Sequence, residues 1–118
     1  GDVSDPYVAV KVGQGQEQRT PVVSNNLNPE WQDNNQFTFQ VKDEDTDLVL
    51  EVFNSNYRKD DSLGTAKVAI HDIDPNRWCR FQEKLENGNG GEVEFDAFLR
   101  PTEHFRMRGE LHKAKLSE

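Results

Sequence analysis

Oxygen donors suited to a hard cation gather in the turn-forming stretches of this chain. Asp2 and Asp5 stand just ahead of Pro6-Tyr7, and Asn25 lies in a turn that leads to Asn28-Pro29. Asn54, Asn56, Asp60 and Asp61 follow Phe53 and run into Leu63-Gly64. Calcium takes roughly six to eight oxygens from carboxylates, amide carbonyls and backbone carbonyls. Asn and Asp are also favoured in turns, because their short side chains bond back to the backbone. A ligand set and ordinary turn chemistry thus share one composition.

The elements that would position these turns show a period of two. Val8, Val10 and Val12 alternate with Tyr7, Ala9 and Lys11; Phe37, Phe39 and Val41 alternate with Thr38, Gln40 and Lys42. Leu48, Leu50 and Val52 form a third row, Ala66, Val68 and Ile70 a fourth, and Val93, Phe95, Ala97 and Leu99 the last. An apolar row on one face is what a half-buried antiparallel strand requires. Short strands at this spacing predict an all-β fold, an antiparallel two-sheet Greek-key β-sandwich. Strands are expected at about 7–12, 18–24, 36–42, 47–53, 64–70, 79–85 and 92–99. Trp31, Phe37, Phe39, Leu48, Leu50, Val52, Val68 and Phe95 are expected in one core. In a sandwich, loops distant in sequence collect at one end of the sheets.

Two segments fit this period poorly. Ile73, Trp78, Phe81 and Leu85 suit a loop and one helical turn over a sheet end. Met107, Leu111 and Ala114 fall at the i, i+4, i+7 spacing of a short amphipathic helix. Gly109 within it weakens a helix by about 1 kcal/mol relative to Ala.

Composition narrows the function classes. The 118 residues suffice for one domain. Lys and Arg number 14 against 22 Asp and Glu, a formal net charge of −8. The acid lies in residues 1–99, whereas 100–118 are mildly basic. An acidic body opposes non-specific nucleic-acid binding and offers no polybasic membrane patch. No run approaches the roughly 20 apolar residues of a membrane span, and no stretch has the order of a secretory signal. Cys79 stands alone, so no internal disulfide forms and a cytoplasmic setting is expected. Catalysis finds no support. His71, His104 and His112 have no metal-ligand spacing, Cys79 between Trp78 and Arg80 reads as a buried structural thiol rather than a reactive one, and there is neither a phosphate loop nor a nucleophile elbow.

Five motifs then come in order: Ser4-Asp5-Pro6-Tyr7-Val8, Asn28-Pro29-Glu30-Trp31, Phe37-Thr38-Phe39, Leu50-Glu51-Val52 and Asp60-Asp61-Ser62-Leu63-Gly64. Together the sequence resembles the C2 domain family, β-sandwich modules that dock proteins on membranes, often with calcium between loops. The resemblance covers Gly1 to about Leu99, setting a C2-like sandwich at 1–99 and a basic tail at 100–118. Its loop register is similar to the C2 domain of cytosolic phospholipase. That variant spaces two first-loop aspartates three apart, as Asp2 and Asp5 are, and draws an asparagine from the position of Asn25. Its third loop runs Asp-x-Asn-Tyr before an acidic residue, where this chain has Asn54-Ser55-Asn56-Tyr57 before Asp60.

The resemblance implies a calcium site of Asp2, Asp5, Asn25, Asn54, Asn56 and Asp60, with Asp60 as an outer partner. Asn54 replaces an aspartate of the pattern, which predicts weak binding, at roughly 10⁻⁴–10⁻³ M. It also implies membrane contact through Tyr57, Arg58 and Lys59 at the third-loop tip. C2 domains have eight strands, and the one ahead of the first loop is missing. It is expected upstream of Gly1, or else replaced by the tail, as a short helix or a strand. Gly109-Glu110-Leu111-His112 is similar to the start of that strand. Two functions follow. One is a non-catalytic, cytoplasmic, peripheral module that docks a larger protein on anionic phospholipid with weak calcium dependence. The other is a calcium-independent protein–protein interaction module.

Overall fold

The computed structural model describes residues 3–101 and 106–117, and these form eight strands in two antiparallel sheets. The first sheet holds β1 (Pro6–Val12), β2 (Glu17–Arg19), β4 (Asp47–Asn54) and β5 (Asp61–Ala69), in the order β2-β1-β4-β5. The second holds β3 (Gln36–Gln40), β6 (Trp78–Lys84), β7 (Gly91–Arg100) and β8 (Arg106–Leu116), in the order β3-β8-β7-β6. A single 3-10 turn, Ile70–Asp72, lies between β5 and β6. The fold is the all-β sandwich that the alternation predicts. All eight expected core residues, from Trp31 to Phe95, lie in one cluster between the sheets. Trp31 is anchored there by its indole N–H, which donates to the Pro21 carbonyl at 2.9 Å.

Strand ends differ from expectation where the ladder is interrupted. β2 stops at Arg19 rather than running to 24. Pro21 has no N–H to give a ladder, and the Thr20 hydroxyl takes the Val8 N–H at 2.9 Å instead. β5 begins earlier, at Asp61, because a bulge against Val52 and Phe53 lets pairing resume at Ser62. Gly64 sits in that bulge at φ +135, and a Cβ there would lie 2.8 Å from the Leu85 Cβ. β6 is a full seven-residue strand, its inner row only half-buried because it is a sheet edge.

The tail is where the outcome departs most from a helix. Residues 106–116 form β8, which inserts between β3 and β7 as the eighth strand. Gln36–Gln40 pair with one side of it and Gly91–Arg100 with the other. Met107, Leu111 and Ala114 are all buried, as an amphipathic face would be, but on a strand. A bulge opposite Glu94 and Phe95 adds His112 to the count. The inner row therefore steps by two from Met107 to Leu111, then by three to Ala114, and a strand imitates helical spacing.

Phe39 is 3% exposed among side chains from both sheets. Phe39→Ala should lower the unfolding free energy by about 3–5 kcal/mol, the usual range for such a truncation. Urea denaturation monitored by tryptophan fluorescence checks this, with the midpoint falling and the slope preserved.

Candidate functional site at the loop end

Three loops meet where β1 begins, where the chain turns before Asn28-Pro29, and where β4 passes into β5. The register sets this: Pro6 pairs with Asn54, and Asn54 pairs with Asp61. Asn25 adopts a positive φ of 53, a conformation Asn tolerates better than most residues. This turns its amide back on the first loop.

A run of short hydrogen bonds then stitches the loops. The Val3 N–H donates to Asn25 Oδ1 at 2.7 Å, and the Asn25 N–H donates to Asp5 Oδ1 at 2.7 Å. The Asp5 N–H donates to Asn54 Oδ1 at 2.8 Å, and the Ser55 N–H to the Asp5 carbonyl at 2.9 Å. Asn54 Nδ2 approaches Asn56 Oδ1 at 3.4 Å, while Asn56 Nδ2 donates to Asp61 Oδ2 at 2.7 Å. Asp5, Asn25, Asn54 and Asn56 are thus brought together; Asp2 lies outside the described residues.

Asp60 takes a different direction. Its Oδ2 accepts the Tyr7 hydroxyl and its Oδ1 accepts the Asn56 N–H at 2.9 Å. Those two donors hold its carboxyl below the usual carboxylate range. Burial raises the Tyr7 phenol, and the bond to Asp60 raises it further. The ring of Tyr7 stacks on Phe53 at 5.4 Å between centroids and carries the Arg19 guanidinium over it at 5.5 Å. The loop is thereby clamped to the outer face of the first sheet. Tyr57, Arg58 and Lys59 project at the tip, and Tyr57 is fully exposed.

Some participants escaped the sequence reading. Asp61 was legible as a loop acid, but its place opposite Asn54 depends on the bulge in β5. Tyr7 and Arg19 look like solvent-facing strand positions, and only the fold shows them gripping Asp60. Among the described residues no group of three or more His, Cys, Asp and Glu is placed to hold a metal. The donors here are mostly amides.

The model of the C2 domain family matches residues 1–85. This chain belongs to the C2 domain family. The C2 domain is 39% identical over 71 residues to protein C2-DOMAIN ABA-RELATED 11 of Arabidopsis thaliana, covering 59% of this chain and 41% of that protein. It is 36% identical over 78 residues to extended synaptotagmin-3 of Mus musculus, covering 65% of this chain and 8% of that protein. The matched region therefore spans less than half the length of these relatives. Among solved structures it resembles the calcium-bound pair of C2 domains from extended synaptotagmin 2, with a TM-score of 0.65. That likeness covers 92% of this chain and 35% of that one at 24% identity, and it bears on the fold alone.

Two outcomes follow for this C2 domain. Asp60, held low, stabilises the fold fully above the ordinary carboxylate pKa of about 4, and this is lost as pH falls through the lowered folded value. Tyr7→Phe should move the Asp60 titration up toward the ordinary value in a carboxyl-carbon NMR experiment. Asn54→Asp keeps the acceptor for the Asp5 N–H but sets an oxygen where Nδ2 faces Asn56 Oδ1. Without calcium it should cost about 1 kcal/mol, the size of a lost hydrogen bond. Thermal midpoints measured with a chelator present check this.

Proposed function

We propose that this C2 domain is a non-catalytic module that docks a larger protein on anionic phospholipid through its loop end. The setting is cytoplasmic and peripheral, and calcium dependence is weak. The observation that carries this reading is Tyr57, fully exposed beside exposed Arg58 and Lys59 on a loop anchored from below. Tyr suits the headgroup region, where an apolar ring and a polar hydroxyl both find partners. Each cation near an anionic leaflet contributes on the order of 1 kcal/mol. Among the described residues neither Arg58 nor Lys59 has an ion-pair partner to restrain it. No helix among the described residues is long and apolar enough to cross a membrane.

The donor set is oxygen throughout, which fits a hard cation. Calcium would be held by Asp5, Asn25, Asn54 and Asn56, with Asp2 from the start of the chain and Asp60 outside. It would supply positive charge against lipid phosphate. Oxygens of Asp5, Asn25 and Asn54 already accept backbone N–H groups, and a cation competes with those bonds. That supports weak affinity. The same hydrogen bonds favour the second reading, a calcium-independent protein interaction module, since they already link the three loops.

Sedimentation with phosphatidylserine-containing and pure phosphatidylcholine vesicles tests the proposal. Binding should favour the anionic vesicles and fade with salt, since exposed charges are screened over about 8 Å at physiological ionic strength. Arg58→Ala with Lys59→Ala should weaken it by about tenfold or more, the equivalent of two headgroup contacts. Binding unchanged by that pair would move the function to the protein-interaction reading.

A further inference from the structure

The outer face of the second sheet divides into two unlike halves. Toward the loop end its charges are closed on one another: Arg80 bonds Asp96 and lies 3.3 Å from Glu94, and His112 bonds Asp96 at 2.8 Å. Burial pushes the Asp96 carboxyl up, but the bonds from Arg80 and His112 outweigh it and hold it low. Toward the opposite end the face is basic and aromatic. Trp78, Phe98 and Arg108 form one row across β6, β7 and β8. The Trp78 and Phe98 rings meet edge to face at 5.5 Å, and the Arg108 guanidinium lies 5.7 Å from the Trp78 centroid. In the next row Arg100 stands directly opposite Arg106.

This half is built against its own stability. Like charges directly opposed across strands are destabilising, and a large aromatic left partly in water forgoes part of the gain from burial. Trp78 is 44% exposed. Among the described residues no carboxylate pairs with Arg100, Arg106 or Arg108. Arg108 lies against Trp78, and Arg100 and Arg106 stand in the neighbouring row, an arrangement suited to an external anion. Trp and Arg are also the residues that most often carry the energy of protein interfaces.

We propose that this face is a docking site for an acidic protein segment in extended conformation, with an aromatic or apolar residue over Trp78. Spacing favours an extended chain: alternate residues on a strand stand about 7 Å apart. That is the separation of Arg106 and Arg108 along β8, and of alternate carboxylates on an extended peptide. A membrane fits less well, because a plane would also cover the half where Glu94, Asp96 and Glu110 lie. The site sits at the far end of β7 from the loops, about 30 Å away for a ten-residue strand. It is therefore separate from the proposed lipid contact.

The test is fluorescence anisotropy with a labelled peptide carrying glutamate at every second position and one phenylalanine. The unmodified domain should bind it, and should not bind the same peptide with lysine for glutamate. Arg106→Ala with Arg108→Ala should weaken binding on the order of tenfold or more. Arg100→Ala with Arg106→Ala should also weaken it while the thermal midpoint holds or rises, which separates lost binding from lost folding. Trp78→Ala should weaken it as well. Arg58→Ala with Lys59→Ala should leave it unchanged, so failure at the loop end and failure here are distinguishable. Folded arginine variants that bind the peptide as tightly as the parent overturn the proposal. So does arginine-dependent binding to phosphatidylserine vesicles without binding to the peptide.

Discussion

The second sheet depends on backbone hydrogen bonds to β8. Among the described residues β3 has no other strand beside it, and β7 gives one of its two edges to the same partner. Buried N–H and C=O groups left without partners cost as much as lost hydrogen bonds, so β3 cannot stay in place without β8. The dependence extends past the named strands. Ala114 donates to the Pro29 carbonyl at 3.1 Å and Leu116 to the Leu27 carbonyl at 2.8 Å. Asn35, buried, donates through Nδ2 to the carbonyls of both Trp31 and Leu111. The turn that presents Asn25 is held by the last residues of the chain that are described. Pairings between segments so distant in sequence are the slow part of folding a sandwich, because loop closure precedes any gain.

The loop end shows a competition between two uses of the same atoms. Backbone N–H groups at the start of β1 and at the Asn25 turn need acceptors, and Asp5, Asn25 and Asn54 provide them. A bound cation would use oxygens from that same set. Adding carboxylates tips the balance toward the cation, because each brings charge as well as an acceptor. Asn54 tips it the other way, because its amide brings a donor that satisfies Asn56 without any ion. Asp60 lies further still from ligand duty, with one oxygen on Tyr7 and the other on the Asn56 backbone.

Much of this was visible in the sequence, since a strand with one buried face writes its period in the residue order. Leu48, Leu50 and Val52 alternate because their strand has core on one side only. What stayed hidden was set by single added residues or by distant partners. His112 in its bulge turned a strand pattern into a helical one, and no local signal marks which residue a ladder will skip. Thr20 substituting a side-chain oxygen for a ladder carbonyl is equally silent. The loop acids and amides were legible as a set, but which oxygen would face which N–H was not. That follows from the φ of Asn25 and from the register that pairs Pro6 with Asn54, far along the chain.

Both described ends of the chain leave the fold beside one short segment. Val3 is tied to Asn25, and Leu116 to Leu27. Tension between these two points would not load the ladders in parallel, as shearing strands along their length would. It would peel β8 from its Leu116 end, one hydrogen bond after another, and pull the first loop off Asn25 in the same motion. A domain strung between other parts of a protein would yield at its loops first. Mechanical strain would then disperse the Asp5, Asn25 and Asn54 constellation while most of the sandwich was still intact.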